Sequence, residues 1–383
     1  MEIGIDASRS LRAILTGTER YSLEITRHLL ALPGASAHAW RLYTDDDADL
    51  DALLVSKKQA ARSTEICVLA ARPIWTHRAL GPEVVRHPPD VLFVPAHVLP
   101  FSPRRHQLPP SVITIHDLGF RHFPEAHTPR QRWYLEAGTR WSAHAARSII
   151  CVSEATARDL QHAYGTPAEK IHVIHEAAAP RPQTLGKETV ANVRTALGLR
   201  RPFALFLGTI QPRKNLRRLM KAYAALATQH DLPWDLVLAG NLGWLSESLL
   251  ALPNALGLAD RIHLTGYISE DERVALLQSA EFFCFPSLYE GFGLPVLEAQ
   301  QMGVPVMTSN NSSLPEVAGD AALLVDPNDI EAMAAAMLRL SQDETLRQQL
   351  IAAGHKNVKR FSWDKAAAET LAVLEAAATQ GNK

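Results

Sequence analysis

The stretch Ser287-Leu-Tyr-Glu-Gly-Phe-Gly-Leu-Pro-Val-Leu-Glu-Ala299 sets two carboxylates, Glu290 and Glu298, eight positions apart around a glycine-containing turn. Proline suits the first position of a helix, where its missing N–H has no partner to lose, so a helix is expected to start at Pro295. Gly303 suits the end of that helix. Glu290 then falls in the loop ahead of the helix and Glu298 on its first turn. A helix start carries unpaired N–H groups and partial positive charge, and Gly291 and Gly293 let a ligand approach the backbone closely. Carboxylates accept hydrogen bonds from sugar hydroxyls and N–H groups meet phosphate oxygens, so the pattern suits a polyhydroxylated anion.

Outward from this segment, short apolar runs alternate with helical patterns. Strands are expected at residues 3–5, 91–94, 111–115, 148–152 and 171–174, and in a second series at 203–207, 235–239, 262–264, 282–285 and 304–308. Such a βαβ rhythm implies parallel sheets covered on both faces, and each series is long enough for one doubly wound domain. Proline and small residues at 177–190 suit a linker. The expected fold class is therefore α/β, with two Rossmann-like domains facing a cleft, a usual place for ligands. Residues 363–378 are alanine-rich and strongly helical.

Gly208-Thr-Ile-Gln-Pro-Arg-Lys-Asn215 follows one of these strands and precedes a helix whose buried face is marked by Leu216, Leu219, Met220 and Tyr223. Asn215 is placed to cap that helix. Arg213 and Lys214 project at a strand's carboxyl end, where open α/β sheets bind ligands. Arginine acts as a fork and lysine as a point charge, a combination suited to a diphosphate. Alone, the pair reads as a solvated basic turn; together with the Glu290 loop it reads as a phosphate site. Thr16-Gly-Thr-Glu-Arg-Tyr21 precedes a helix with Tyr21, Ile25 and Leu29 on one face, and Thr16 and Glu19 have capping-box spacing. Gly17 either aims its N–H at a ligand oxygen or is a glycine in a capped turn. His116 ends the strand at 111–115, and from position alone the plainer reading is a packed, hydrogen-bonded histidine. Ser153 is an N-cap. Gly240 and the Gly266-Tyr267 pair follow strands as turns whose backbone could meet a nucleotide. The acidic run at 44–49 is a solvated loop.

The composition narrows the function classes. Net charge is −1, with 20 Lys and Arg against 19 Asp and Glu up to residue 180 and 19 against 21 thereafter. Neither half has the basic excess of a nucleic-acid binder. Cys67, Cys151 and Cys284 are scattered and odd in number, as expected of buried small residues in a reducing compartment. The start of the chain does not read as a signal peptide, and no apolar run approaches a membrane span. A cytoplasmic protein is expected, with peripheral contact to the inner membrane surface left open. Metal-ligand spacings, a Walker A lysine loop and a GxGxxG fingerprint at the first strand are missing, which disfavours metalloenzyme, P-loop NTPase and simple dehydrogenase readings.

Taken together, Glu290 to Glu298, Gly303-Val-Pro-Val306, residues 313–327, residues 206–215, Ile115-His-Asp-Leu118 and Val152-Ser-Glu-Ala155 resemble the retaining glycosyltransferases of family four, and in particular the branch with mannosyltransferases of bacterial polysaccharide assembly. The resemblance implies a GT-B fold with an acceptor-side domain at 1–180, a nucleotide-sugar domain at 181–362 and a final helix at 363–383 crossing back onto the first domain. It implies that Arg213 and Lys214 hold the donor diphosphate, and that Glu298 accepts from the ribose hydroxyls. Glu290 is implied beside the donor sugar, with the backbone of Gly291, Phe292, Gly293 and Leu294 close by. Gly17 is implied at the donor phosphate, His116 near the transferred sugar, and Gly240 and Tyr267 in the donor site. The co-substrate implied is a nucleotide sugar, GDP-mannose first among them, with no cofactor and no metal. The acceptor implied is a saccharide or lipid-linked saccharide. A glucosyl- or rhamnosyltransferase, or a catalytically silent nucleotide-sugar-binding subunit, remains as the alternative.

Overall fold

The computed structural model describes residues 1–10, 17–45, 64–70, 74–96, 98–180, 182–243 and 247–379. Thr16, residues 46–49 of the acidic run and Trp244 lie outside the described residues. The chain divides into two compact units, Met1–Glu176 with Phe361–Lys383, and Ala177–Arg360.

The first unit is built on seven parallel strands: β1 (Glu2–Asp6), β2 (Ala39–Thr44), β3 (Thr64–Val68), β4 (Val91–Val94), β5 (Ser111–Ile115), β6 (Ser148–Cys151) and β7 (Ile171–Val173), in the spatial order β3-β2-β1-β4-β5-β6-β7. β4, β5 and β6 are buried along their whole length, which is why they read as continuous apolar runs. β2 and β3 were not expected from sequence. Arg41 interrupts the first, and the second is a half-exposed edge strand carrying Glu65. Arg41 reaches Glu2 at 2.9 Å and Glu65 at 3.1 Å, so the polar residue that hides the strand also ties β1, β2 and β3 together. Cys67, on this edge, is only half-buried, whereas Cys151 and Cys284 are buried.

The helix Gly17–Ala31 buries Tyr21, Ile25 and Leu29. The last helix, Trp363–Thr379, packs against it and against β4, β5 and β6. The Trp363 ring lies 5.7 Å from Tyr21 and 6.3 Å from His28.

The second unit has six parallel strands: β8 (Phe203–Leu207), β9 (Asp235–Ala239), β10 (Ile262–Gly266), β11 (Phe282–Phe285), β12 (Val306–Ser309) and β13 (Ala322–Val325), in the order β10-β9-β8-β11-β12-β13. β13 was also missed from sequence; its neighbours in the chain are turn residues and its Leu324 is exposed. The core between sheet and helices is aromatic. Phe206 stacks on Phe285 at 5.8 Å, and Phe285 on Phe283 at 5.9 Å. The helix Leu216–Gln229 buries Leu216, Leu219, Met220 and Tyr223. In both sheets the strand order reverses direction beside the first strand, between β1 and β4 and between β8 and β11. That reversal opens a crevice at the strands' carboxyl ends.

Candidate active site

The loops that leave β8 and β11 meet at the switch point of the second sheet. After Leu207 the chain turns at Gly208 and makes a single 3-10 turn over Pro212–Lys214, then enters the helix Leu216–Gln229. Asn215 stands at the cap position but does not cap. It adopts a left-handed conformation (φ 61°), its amide donates to the Pro327 carbonyl at 2.6 Å, and its oxygen accepts from Arg218 at 3.0 Å. The side chain ties the loop to the segment that follows β13 and does not cap the helix.

The loop after β11 is braced from two sides. The Leu288 N–H donates to the Arg213 carbonyl at 2.9 Å. From the end of β12 and the loop after it, Asn311 donates to Leu288 O at 2.8 Å, Ser309 to Ser287 O at 2.7 Å, and the Ser313 hydroxyl faces the carbonyls of Glu290 and Phe292 at 3.0 and 2.5 Å. Gly293 has φ 122°, and a Cβ there would sit 2.9 Å from Leu314, so only glycine fits this entry to the helix. That helix is Leu294–Gln301, with Pro295 at its second position and Gly303 left-handed just past its end. Glu298 is therefore on the second turn rather than the first.

Arg213, Lys214 and Glu290 form one cluster. Arg213 Nη1 donates to Glu290 Oε2 and to the Tyr289 carbonyl, each at 2.7 Å. Lys214 Nζ donates to Glu290 Oε1 at 2.5 Å and lies 4.6 Å above the Phe285 ring. Lys214 and Glu290 are each only 7% exposed. Burial alone would raise the Glu290 pKa, but the adjacent Lys214 and Arg213 charges outweigh it and pull the carboxyl down to about 2. Two cations thus face one anion in a site with little water to screen them.

Glu298 is held differently, through Arg273 of the helix Glu270–Ser279, whose guanidinium donates to it at 3.0 Å while also pairing with Glu270. Arg273 was not recognised from sequence. It sits 25 positions from Glu298 on a helix with an unremarked acidic first turn, and nothing local distinguishes it. Gly240 stacks directly on the Gly208 turn, its N–H donating to Gly266 O at 2.9 Å. Tyr267, just beyond, is 75% exposed.

Gly17 and His116 belong to the first unit. Gly17 is the exposed first residue of its helix, and a Cβ there would meet nothing within 4 Å, so packing does not demand the glycine. His116 follows β5. Its Nε2 lies 2.9 Å from the Pro95 carbonyl, which makes Nε2 the protonated nitrogen, and Tyr21 meets its ring edge-on at 4.7 Å. Burial lowers its pKa, so the ring is held in its neutral form. Ser153, which caps the helix Glu154–Tyr164, also donates to Thr156, whose hydroxyl supports the His116 carbonyl at 3.2 Å.

The first unit also holds two buried acids, Asp6 and Glu176. Burial raises Asp6 to about 6 against the Ser8 hydrogen bonds, and raises Glu176 to about 8. For an acid whose folded pKa lies above its unfolded value of 4.5, stability is greatest below pH 4.5 and is lost as pH rises towards 8. Glu176→Gln should therefore be neutral at pH 4 and stabilising at pH 9. Chemical denaturation at the two pH values measures this, and an equal effect at both would contradict it.

Among the described residues no group of three or more His, Cys, Asp or Glu is placed to hold a metal ion, and no helix is long and apolar enough to cross a membrane.

Residues 15–180 match the Glycosyltransferase Family 4 model, and residues 191–357 match the Glycosyl transferases group 1 model. O-antigen chain mannosyltransferase B of Escherichia coli is 31% identical over 382 residues, covering 96% of this chain and 98% of that protein. The chain belongs to glycosyltransferase family 4. A second relative, the MMP alpha-(1->4)-mannosyltransferase of Mycolicibacterium hassiacum, is 33% identical over 253 residues, covering 64% of this chain and 58% of that protein. HepE of Anabaena, solved in complex with UDP and glucose, superimposes with a TM-score of 0.70 at 17% identity, covering 98% of this chain and 99% of that one. This family 4 glycosyltransferase is a hexosyltransferase of the GT-B fold, with the Arg213–Lys214–Glu290 cluster in the unit matched by the group 1 model.

Proposed function

We propose that this glycosyltransferase moves mannose from GDP-mannose to a saccharide or lipid-linked saccharide acceptor in polysaccharide synthesis, with retention of anomeric configuration. The observation that carries the reading is the buried cation pair on Glu290 at the switch point of the second sheet. Loss of a nucleoside diphosphate builds negative charge on the departing oxygens. Arg213 and Lys214 meet that charge from fixed positions, without reorganising at the moment of transfer. Glu290 favours the positive charge that grows on the sugar carbon. In a front-face route the leaving phosphate oxygen takes the acceptor proton, so the protein need only position the two substrates. Mannose is chosen because both relatives described above are mannosyltransferases.

A lipid-linked acceptor would bring the enzyme to a membrane surface. Arg104, Arg105 and His106 are exposed and suit such a contact, whereas Arg121 is already paired with Glu136 and His122 with Asp159.

The reading is tested by a thermal-shift panel of nucleotide sugars followed by transfer assays. GDP-mannose should raise the melting temperature most; a larger rise with UDP-glucose would overturn the choice of donor. Glu298 is assigned to the ribose hydroxyls, oriented by Arg273. Glu298→Ala should weaken donor binding by roughly 1.5–3 kcal/mol for each charged hydrogen bond lost, and an unaltered dissociation constant in calorimetry would remove that assignment.

A further inference from the structure

Both carboxylate oxygens of Glu290 accept from cationic side chains, Oε2 from Arg213 and Oε1 from Lys214. A diphosphate bound at this site would engage the same two side chains. We infer that Glu290 exchanges partners during the catalytic cycle, holding Arg213 and Lys214 when the site is empty and the donor sugar when it is full, and that its return to the cations expels the nucleoside diphosphate product. The inference rests on the donor site proposed above and adds product release to it.

A buried carboxylate cannot be left bare, because an uncompensated charge in a dry site is costly. A ligand that takes the two cations must therefore offer Glu290 something in return. A nucleotide sugar does so, since its phosphates take Arg213 and Lys214 while its sugar hydroxyls donate to the released carboxylate. A nucleoside diphosphate brings the phosphates alone and leaves Glu290 without a cation or a sugar hydroxyl, with the Ser287 hydroxyl still beside it. Once the sugar has moved to the acceptor, the product complex is in that state, and the carboxylate competes for its former partners.

The surroundings make this a movement of one side chain. The Glu290 N–H donates to the Ser312 hydroxyl at 3.1 Å, and its carbonyl accepts from Ser313 at 3.0 Å, so the backbone is clamped on both sides. Lys214 rests over Phe285, and Arg213 keeps a second bond to the Tyr289 carbonyl. The cations can stay in place while the carboxylate rotates. The exchange also gives the site a preference for the intact donor over its own product without a separate recognition element.

The test is calorimetry on the full chain with inorganic pyrophosphate, GDP and GDP-mannose. Pyrophosphate has no base, so this arm does not depend on which nucleotide the enzyme uses. Glu290→Gln keeps the shape but cannot compete as an anion. It should bind pyrophosphate and GDP about tenfold or more tightly than wild type does, with a smaller gain or a loss for GDP-mannose. Glu298→Gln, which removes a carboxylate held by Arg273 instead, should show no such gain. In wild type, GDP-mannose should bind more tightly than GDP, a comparison that needs no variant to fold. Equal pyrophosphate affinity in wild type and Glu290→Gln, an equal gain in Glu298→Gln, or tighter binding of GDP than of GDP-mannose by wild type would each overturn the exchange. Failure of wild type to bind any of the three ligands would instead remove the donor site itself, and the exchange with it.

Discussion

Lys214→Ala is expected to lower kcat by about 10²–10³-fold, the size of effect seen when a preorganised donor is removed from developing negative charge. Binding of the nucleoside diphosphate should change far less. In the donor site proposed above, the ground-state phosphates already carry their charge and would keep Arg213, which is anchored to the Tyr289 carbonyl independently of Lys214. In the transition state the extra charge on the bridging oxygen must be met by a group that is close, fixed and dry. Lys214 has these properties, with its ammonium set between the Glu290 carboxylate and the Phe285 face. Lys214→Arg should rescue poorly, because a planar fork does not replace a point charge in that space. Steady-state kinetics combined with calorimetry separates the effects. A pure rise in donor KM at unchanged kcat would show that Lys214 serves uniform binding instead.

The second large effect is expected from Gly240→Ala, which should cost roughly 3–5 kcal/mol of stability, combining backbone strain with overpacking. Gly240 has φ 142°, and an added Cβ would overlap the carbonyl oxygen of Gly208. Neither group can step aside. The Gly208 N–H is bonded to Ala239 O at 3.0 Å, and the Gly240 N–H to Gly266 O at 2.9 Å, so the turns after β8, β9 and β10 are locked edge to edge. Any shift would pass along the Gly208 turn to Arg213 and Lys214. Denaturant unfolding should show the loss directly, with reduced donor affinity in whatever remains folded. A stability change below about 1 kcal/mol would mean that this row of turns is softer than its hydrogen bonds imply.

The parallel strands buried on both faces were legible because burial leaves an uninterrupted apolar run; β4, β5, β8, β9 and β11 are of this kind. The strands missed lie at or next to sheet edges, where one face need not be apolar. Arg41 in β2 and Glu65 in β3 are polar because they pair with each other across the edge. In the candidate site, Arg213, Lys214 and Glu290 stood out by residue type and by their place after strands. Their mutual contact did not, since 76 positions separate Lys214 from Glu290 and only the sheet order brings them together. Asn215 misled for a related reason. Its type and position fit a helix cap, but a distant carbonyl, that of Pro327, takes its amide. Arg273 was invisible because its importance lies wholly in the partner it finds on another helix.

The polypeptide enters the second unit after Glu176 and rejoins the first at Phe361. One globule is therefore continuous in the chain and the other is interrupted by it. As the protein emerges from the ribosome, residues 177–360 are available in full before the helix Trp363–Thr379 that completes the earlier globule. The segment made first is thus the last to close, and until Trp363 arrives the apolar side of Tyr21 stays uncovered. Shortening the tail would accordingly damage the amino-terminal globule, far away in the chain, more than the neighbour that immediately precedes it.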